Sequence, residues 1–262
     1  MANRQERALQ NLLNTDETRS DYPDTLSLPN TVHSAVLVAV EKTQRDKRER
    51  SMHFRYRRNT WLGGIAFRGP TSEHSVSSLH LKFAELYPPD IHFHTHPALD
   101  VESFQQDVMR NATKQGVKIN ERTRDRMAAM SMDAHMLTTR LPSAPDMYSS
   151  MLRPLGNLAH LVASDHGSFL WVRRELSRQS KNDHEEWRRF ADDVEERTGE
   201  ADKVKISLAE VDQAGFALSL QRMVDTRVRT LDPMYVCYAS SRLDSPEMQR
   251  LGLISGANSD NN

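Results

Sequence analysis

The chain reads as an α/β protein built on a mixed β-sheet flanked by helices. Three observations predict this. A segment with helical apolar spacing comes early, at Val32, Ala35, Val36, Ala39 and Val40. Closely spaced strand-like segments follow, ending in Asp90 to His96 with its alternating histidines. Two further apolar runs, 158–164 and 168–172, flank Asp165-His166-Gly167 as the arms of a hairpin.

The length of 262 residues suits one large domain, or a core domain with a smaller appendage. Hydrophobic residues make up 37% and charged residues 27%, which allows a compact core wrapped in solvated helices or insertions. A formal net charge of −1 leaves no global field to draw the protein onto nucleic acid or anionic lipid. Cys237 is the single cysteine, which excludes an internal disulfide framework and a multi-cysteine zinc finger. Any zinc would be held by histidine and carboxylate. The N-terminus is polar, without the apolar core of a signal peptide, and no apolar run approaches the ~20 residues that span a bilayer. The expectation is a soluble cytoplasmic protein with no membrane partner.

In chain order, residues 1–27 read as a polar N-terminal arm. Ala8, Leu9, Leu12 and Leu13 form a short helix-like piece, and the polar run after them suggests loose packing or none. The helix over Val32–Val40 is expected to be capped by Asn30 or Thr31, although the β-branched run Val36-Leu37-Val38 also favours a strand. A basic stretch follows, and over Met52-His53-Phe54-Arg55-Tyr56-Arg57-Arg58 it alternates apolar with basic residues. Aromatics among basic residues suit phosphate and base stacking, but a half-exposed strand with one solvated face accounts for the pattern more simply. Trp61 to Phe67 and Val76 to Phe83 read as further strands, then Asp90 to His96.

Residues 98–140 differ in kind. They carry Met109, Met127, Met130, Met132 and Met136 on helical stretches near 101–115 and 120–136, and adaptable packing is the reading such methionines favour. Pro142-Ser143 opens another helix, reaching Met151-Leu152. Beyond Arg174 the chain becomes strongly charged, with an amphipathic helix over 185–198, a second helix candidate over 207–229 and a late strand, Met234 to Tyr238. The division is thus an arm (1–27), a domain (28–174) with an insertion (98–140), a C-terminal helical extension (175–254) and a disordered tail (255–262).

The chemistry concentrates in Ile91-His92-Phe93-His94-Thr95-His96-Pro97. Alternate residues of a strand share a face, so His92, His94 and His96 project together. Two imidazoles on one rigid strand supply half of a tetrahedral zinc shell. Asp146, three residues after Ser143, offers an acidic third ligand, although Ser-x-x-Asp is also a helix capping box. His92 shares the face but falls outside the ligand spacing, so structural support suits it better.

His94-Thr95-His96-Pro97 followed by Ser143-Ala144-Pro145-Asp146 and the hairpin of 158–172 resembles the JAMM (MPN+) zinc metalloprotease family. The resemblance covers roughly residues 28–174. It implies a cytidine-deaminase-like core and a zinc isopeptidase or peptidase, often acting on ubiquitin or ubiquitin-like conjugates. It further implies that His94, His96 and Asp146 bind Zn2+, that Ser143 stands beside the metal-bound water, and that an early glutamate is the general base. Glu41, Glu49, Glu73 and Glu85 are candidates. Glu49, at the start of a strand after the first helix, occupies the place the family's glutamate normally has, without the glycine that often follows it.

This chain departs from the family in the long segment between the two motifs. A nearer acidic candidate, Asp107, lies four residues after Ser103 rather than three, so Asp146 fits better. The leading expectation is amide hydrolysis of a protein substrate, a ubiquitin-like conjugate among them. A non-catalytic scaffold using the insertion and C-terminal helices is the alternative. An amidohydrolase barrel, which also uses His-x-His at a strand end, needs repeated βα units that this chain lacks.

Overall fold

The computed structural model describes residues 4–13, 22–64, 66–69, 90–97, 106, 109–110, 113, 120, 141–142, 146, 159–173, 228 and 235–251. Its elements are α1 (Arg4–Leu13), β1 (Thr25–Ser27), α2 (Asn30–Asp46), β2 (Arg50–Arg57), β3 (Thr60–Gly63), β4 (Phe67–Arg68), β5 (Ile91–Thr95), β6 (Ala159–Ser164), β7 (Gly167–Arg173), β8 (Tyr235–Ser240) and β9 (Glu247–Leu251). The strands form one mixed sheet in the order β1-β9-β8-β7-β6-β5-β2-β3, with β4 also paired to β2. The predicted α/β class therefore holds at the level of a mixed sheet with helices packed on it. Among the described residues no helix is long and apolar enough to cross a membrane.

Helical periodicity wins over the β-branched run in α2. Val32, Val36, Ala39 and Val40 fall on one buried stripe, each valine contributing ~1.5–3 kcal/mol by leaving water. The expected Asn30 or Thr31 cap is not used. Pro29 holds the N-cap position at φ −56°, with no side-chain cap bond, and its carbonyl accepts the His33 N–H at 2.9 Å. Lys47 ends the helix in the left-handed region and donates its N–H to the Thr43 carbonyl at 2.7 Å.

Strand alternation then divides the sheet. Ile91 and Phe93 of β5 join Phe54, Leu161, Leu170, Val236 and Tyr238 in the core beneath α1 and α2. His92 and His94 project from the opposite face, which is buried in its turn at Val162, Phe169, Trp171 and Cys237. Among the described pairs only β5 and β6 run parallel.

Several expectations need correction. The N-terminal arm is not loosely packed: Leu9, Leu12 and Leu13 are buried in the main core, and β1 pairs with β9. The late strand expected over Met234–Tyr238 is β8, but the 175–254 segment also carries β9 and is not set apart from the first domain. β8 pairs with β7 over Ser168–Arg173 and β9 pairs with β8, so the sheet of the first domain continues past residue 174. The strand expected over Trp61–Phe67 is two short ones, β3 and β4, both paired with β2.

The hairpin at 165–166 is as expected. Within 98–140, Gln106, Met109, Arg110 and Thr113 are helical, in line with the first of the two stretches. Asn120, the first residue of the second stretch, is not helical; the strand at 76–83, the rest of the helix expected over 120–136, the helix over 185–198 and the 255–262 tail lie outside the described residues.

Gly167 opens β7 at φ +134°, where an added Cβ would also overlap the Ser240 carbonyl of β8. Both the conformation and the contact exclude a side chain. Gly167→Ala is expected to lower the unfolding free energy by about 3 kcal/mol in urea titration; an unchanged midpoint would contradict this packing.

Candidate metal centre

β5 is held on both flanks. β2 pairs antiparallel with it, setting Ser51 against His94 and His53 against His92. β6 pairs parallel, and its register continues beyond the strand end, where the His96 N–H donates to the Ala163 carbonyl at 2.9 Å. A parallel pair demands a long crossover, and the chain between β5 and β6 includes Asp146, which is helical. Asp146 thereby meets the carboxyl end of β5, where open α/β sheets commonly build their sites.

Three side chains converge there. His94 Nε2 lies 3.1 Å from Asp146 Oδ1, and His96 Nε2 lies 3.2 Å from Asp146 Oδ2. The two imidazole Nε2 atoms are 3.3 Å apart. Nitrogens each ~2.0–2.1 Å from a tetrahedral zinc would be separated by ~3.3–3.4 Å, so the histidine pair already has the edge length of such a shell. Among the described residues this is the group of histidine, cysteine and acidic side chains whose ligand atoms all lie within 4.8 Å of one another. These residues can hold a metal ion. The Asp146 side chain is 20% exposed and that of His96 14%, so the cluster is reachable from solvent.

Burial disfavours charge on His94, yet the Asp146 carboxylate, its hydrogen bond and the Glu49 charge together raise the imidazole above its usual range. Burial likewise opposes the charged form of Asp146, but His94 and His96 hold its carboxyl well below the ordinary value. Each of His94 and Asp146 thus favours the charged form of the other. The Nδ1 atom of His94 is buried with no hydrogen-bond partner among the described residues, whereas ligand imidazoles usually donate from that second nitrogen.

His94, His96 and Asp146 are therefore brought together as the sequence predicts. Glu49 stands one residue before β2, half-buried, close enough for its charge to act on His94. Glu41 is exposed on α2 and paired with Arg45 at 2.9 Å. Ser143, Glu73, Glu85, Ser103 and Asp107 lie outside the described residues.

His92 does not join the ligand triad. Its ring packs 5.3 Å from His53 and 5.6 Å from His160, centroid to centroid. His160 in turn stacks on Trp171. The sequence reading missed this histidine layer, because His53 and His160 reach His92 only through sheet register. The strand alternation of 52–58 was the available signal, but it does not name a partner strand. Compared with known protein families, characterised proteins and solved structures, the chain matches none.

The charge balance sets a pH dependence. The raised His94 contributes stability present below its unfolded value of ~6.5 and lost as pH rises through its folded one. The depressed Asp146 contributes stability present above ~3.9 and lost as pH falls through its folded value. A metal must displace the His94 proton. Its apparent affinity is expected to climb up to ~10-fold per pH unit and to keep climbing above pH ~6.5. Competition with a chromophoric chelator from pH 6 to 8 measures this; an affinity level above pH 6.5 would contradict the raised His94.

Proposed function

We propose that this chain is a zinc-dependent amide hydrolase of the JAMM type, acting on a protein substrate such as a ubiquitin-like conjugate. The observation that carries the reading is the His94–His96–Asp146 triangle at the end of β5, with edges of 3.1, 3.2 and 3.3 Å. His94 comes from β5, His96 from the residue just past its end, and Asp146 from the crossover that follows, the three positions named by His-x-His-Pro and Ser-x-x-Asp.

The donor set fits zinc: two imidazoles and a carboxylate, leaving a fourth position open as catalytic zinc sites do. When bound, zinc supplies Lewis acidity and brings the pKa of a coordinated water toward ~7. Glu49 takes a proton from the attacking water as its oxygen adds to the substrate carbonyl carbon. The same carboxyl then delivers that proton to the departing amine nitrogen as the C–N bond breaks. Ser143, assigned from the motif, donates its hydroxyl hydrogen to the developing oxyanion. Asp146, His94 and His96 would hold the metal, and Asp146 and His96 are partly exposed on the side a substrate would approach.

Glu49→Gln tests the assignment, since it keeps size and hydrogen bonding but removes the base. On ubiquitin-like conjugates, kcat is expected to fall ~100-fold or more while zinc content stays that of the wild type. An unaltered kcat would remove Glu49 from the chemistry. Absence of hydrolysis by fully metal-loaded wild-type protein across a panel of amide-linked conjugates would count against the hydrolase itself.

A further inference from the structure

The connection from α2 to β2 is tied down by backbone hydrogen bonds on both sides of Glu49. Lys47 donates its N–H to the Thr43 carbonyl at 2.7 Å, and the Arg48 N–H donates to Asp46 Oδ1 at 3.1 Å. The Arg48 carbonyl accepts from the Arg50 guanidinium at 3.0 Å. The Glu49 carbonyl accepts the Gly69 N–H at 2.9 Å, and the Arg50 N–H donates to Thr95 Oγ1 at 2.9 Å. The peptide unit that follows the Glu49 Cα is thus fixed at both its oxygen and its nitrogen.

The side chains that make these bonds are bonded to one another. Arg50 grips Asp46 through two nitrogens, at 2.9 and 2.7 Å. Thr43 Oγ1 and Thr95 Oγ1 meet at 2.6 Å in the buried interior. Thr95 lies between the two histidine ligands and points to the opposite face, fully buried. One hydroxyl therefore joins the ligand strand, the C-terminal part of α2 and the start of β2.

We propose that Thr95, with Thr43, Arg50 and Asp46, is a positioning network that sets the Glu49 carboxylate against the His94–His96–Asp146 centre. This rests on the assignment of Glu49 under the proposed function. Joining a helix to a strand requires only the geometry of the connection. A connection bonded on both sides of Glu49, with Thr95 reaching in from a third element, fixes where the Glu49 side chain departs from the backbone. Acid–base groups need such support, because a displacement of ~1 Å can cost ~100-fold in rate.

The test compares Thr95→Val, which removes the hydroxyl and keeps the shape, with Thr95→Ser, which keeps the hydroxyl. Asp46→Asn serves as a second variant, remote from the core, should Thr95→Val fail to fold. In the zinc-loaded full chain, Thr95→Val is expected to lower kcat ~10-fold or more with KM and zinc content unchanged, and Thr95→Ser to restore it. In the cobalt-loaded protein, Thr95→Val is expected to shift the pH midpoint of the visible spectrum in the same direction as Glu49→Gln. Combining the two substitutions is expected to add nothing to that shift.

Additive effects, or a loss of thermal stability with kcat and the cobalt midpoint unmoved, would overturn the network while leaving the hydrolase standing. Non-additive spectra in a protein that cleaves no conjugate would uphold the network and discard the hydrolase. A cobalt spectrum unaffected by Glu49→Gln would overturn the network, since nothing would remain for it to position.

Discussion

The parallel pairing of β5 with β6 is the constraint on which the rest of this structure depends. Antiparallel neighbours can be joined by two residues, as β6 and β7 are at Asp165-His166. Parallel neighbours cannot. The chain leaving His96 must travel the length of the sheet before re-entering at Ala159, and Asp146 lies on that return. Because β5 is an interior strand, clamped by β2 on one side and β6 on the other, His94 has a fixed origin, and the His96 bond to Ala163 extends that hold one residue past the strand end. The ligand triangle follows from that topology as much as from the identities of the three residues.

Alternation along β5 assigns separate duties to adjacent residues. Ile91 and Phe93 anchor the strand in the α1/α2 core, and Thr95 ties it to Thr43 and Arg50. His92 and His94 face the other way. His92 packs within a layer of imidazoles ending on Trp171, and His94 meets the carboxylate. Burying an acid and two histidines side by side is costly unless positive charge is shared among them. A divalent cation would supply that charge with directional bonds. The opposed displacements of His94 and Asp146 from their ordinary ranges record that demand.

Much of the site was legible because its signals are local. His-x-His within an alternating strand fixes two side chains on one face, and Ser-x-x-Asp is a short-range spacing. The strands that sequence analysis overlooked are those whose stability is not local. β1 is three residues long and buries only Leu26, and its partner in β9 lies at the other end of the chain, Thr25 facing Gln249. β9 buries Met248 alone, so neither strand shows a period. The N-terminal helix was visible in Leu9, Leu12 and Leu13, but the polar run after it hid the fact that a core awaits those leucines. The same non-locality concealed the Thr43–Thr95 bond, which links positions 52 residues apart through side chains of no distinctive pattern.

Metal content after equilibration with zinc and removal of excess, read by elemental analysis, tests the central claim most directly. Wild type is compared with Asp146→Ala and Asp107→Ala. The account predicts about one zinc per chain in the wild type, retained in Asp107→Ala and lost in Asp146→Ala. Zinc lost from Asp107→Ala but kept in Asp146→Ala, or no zinc bound by any of the three, would contradict it.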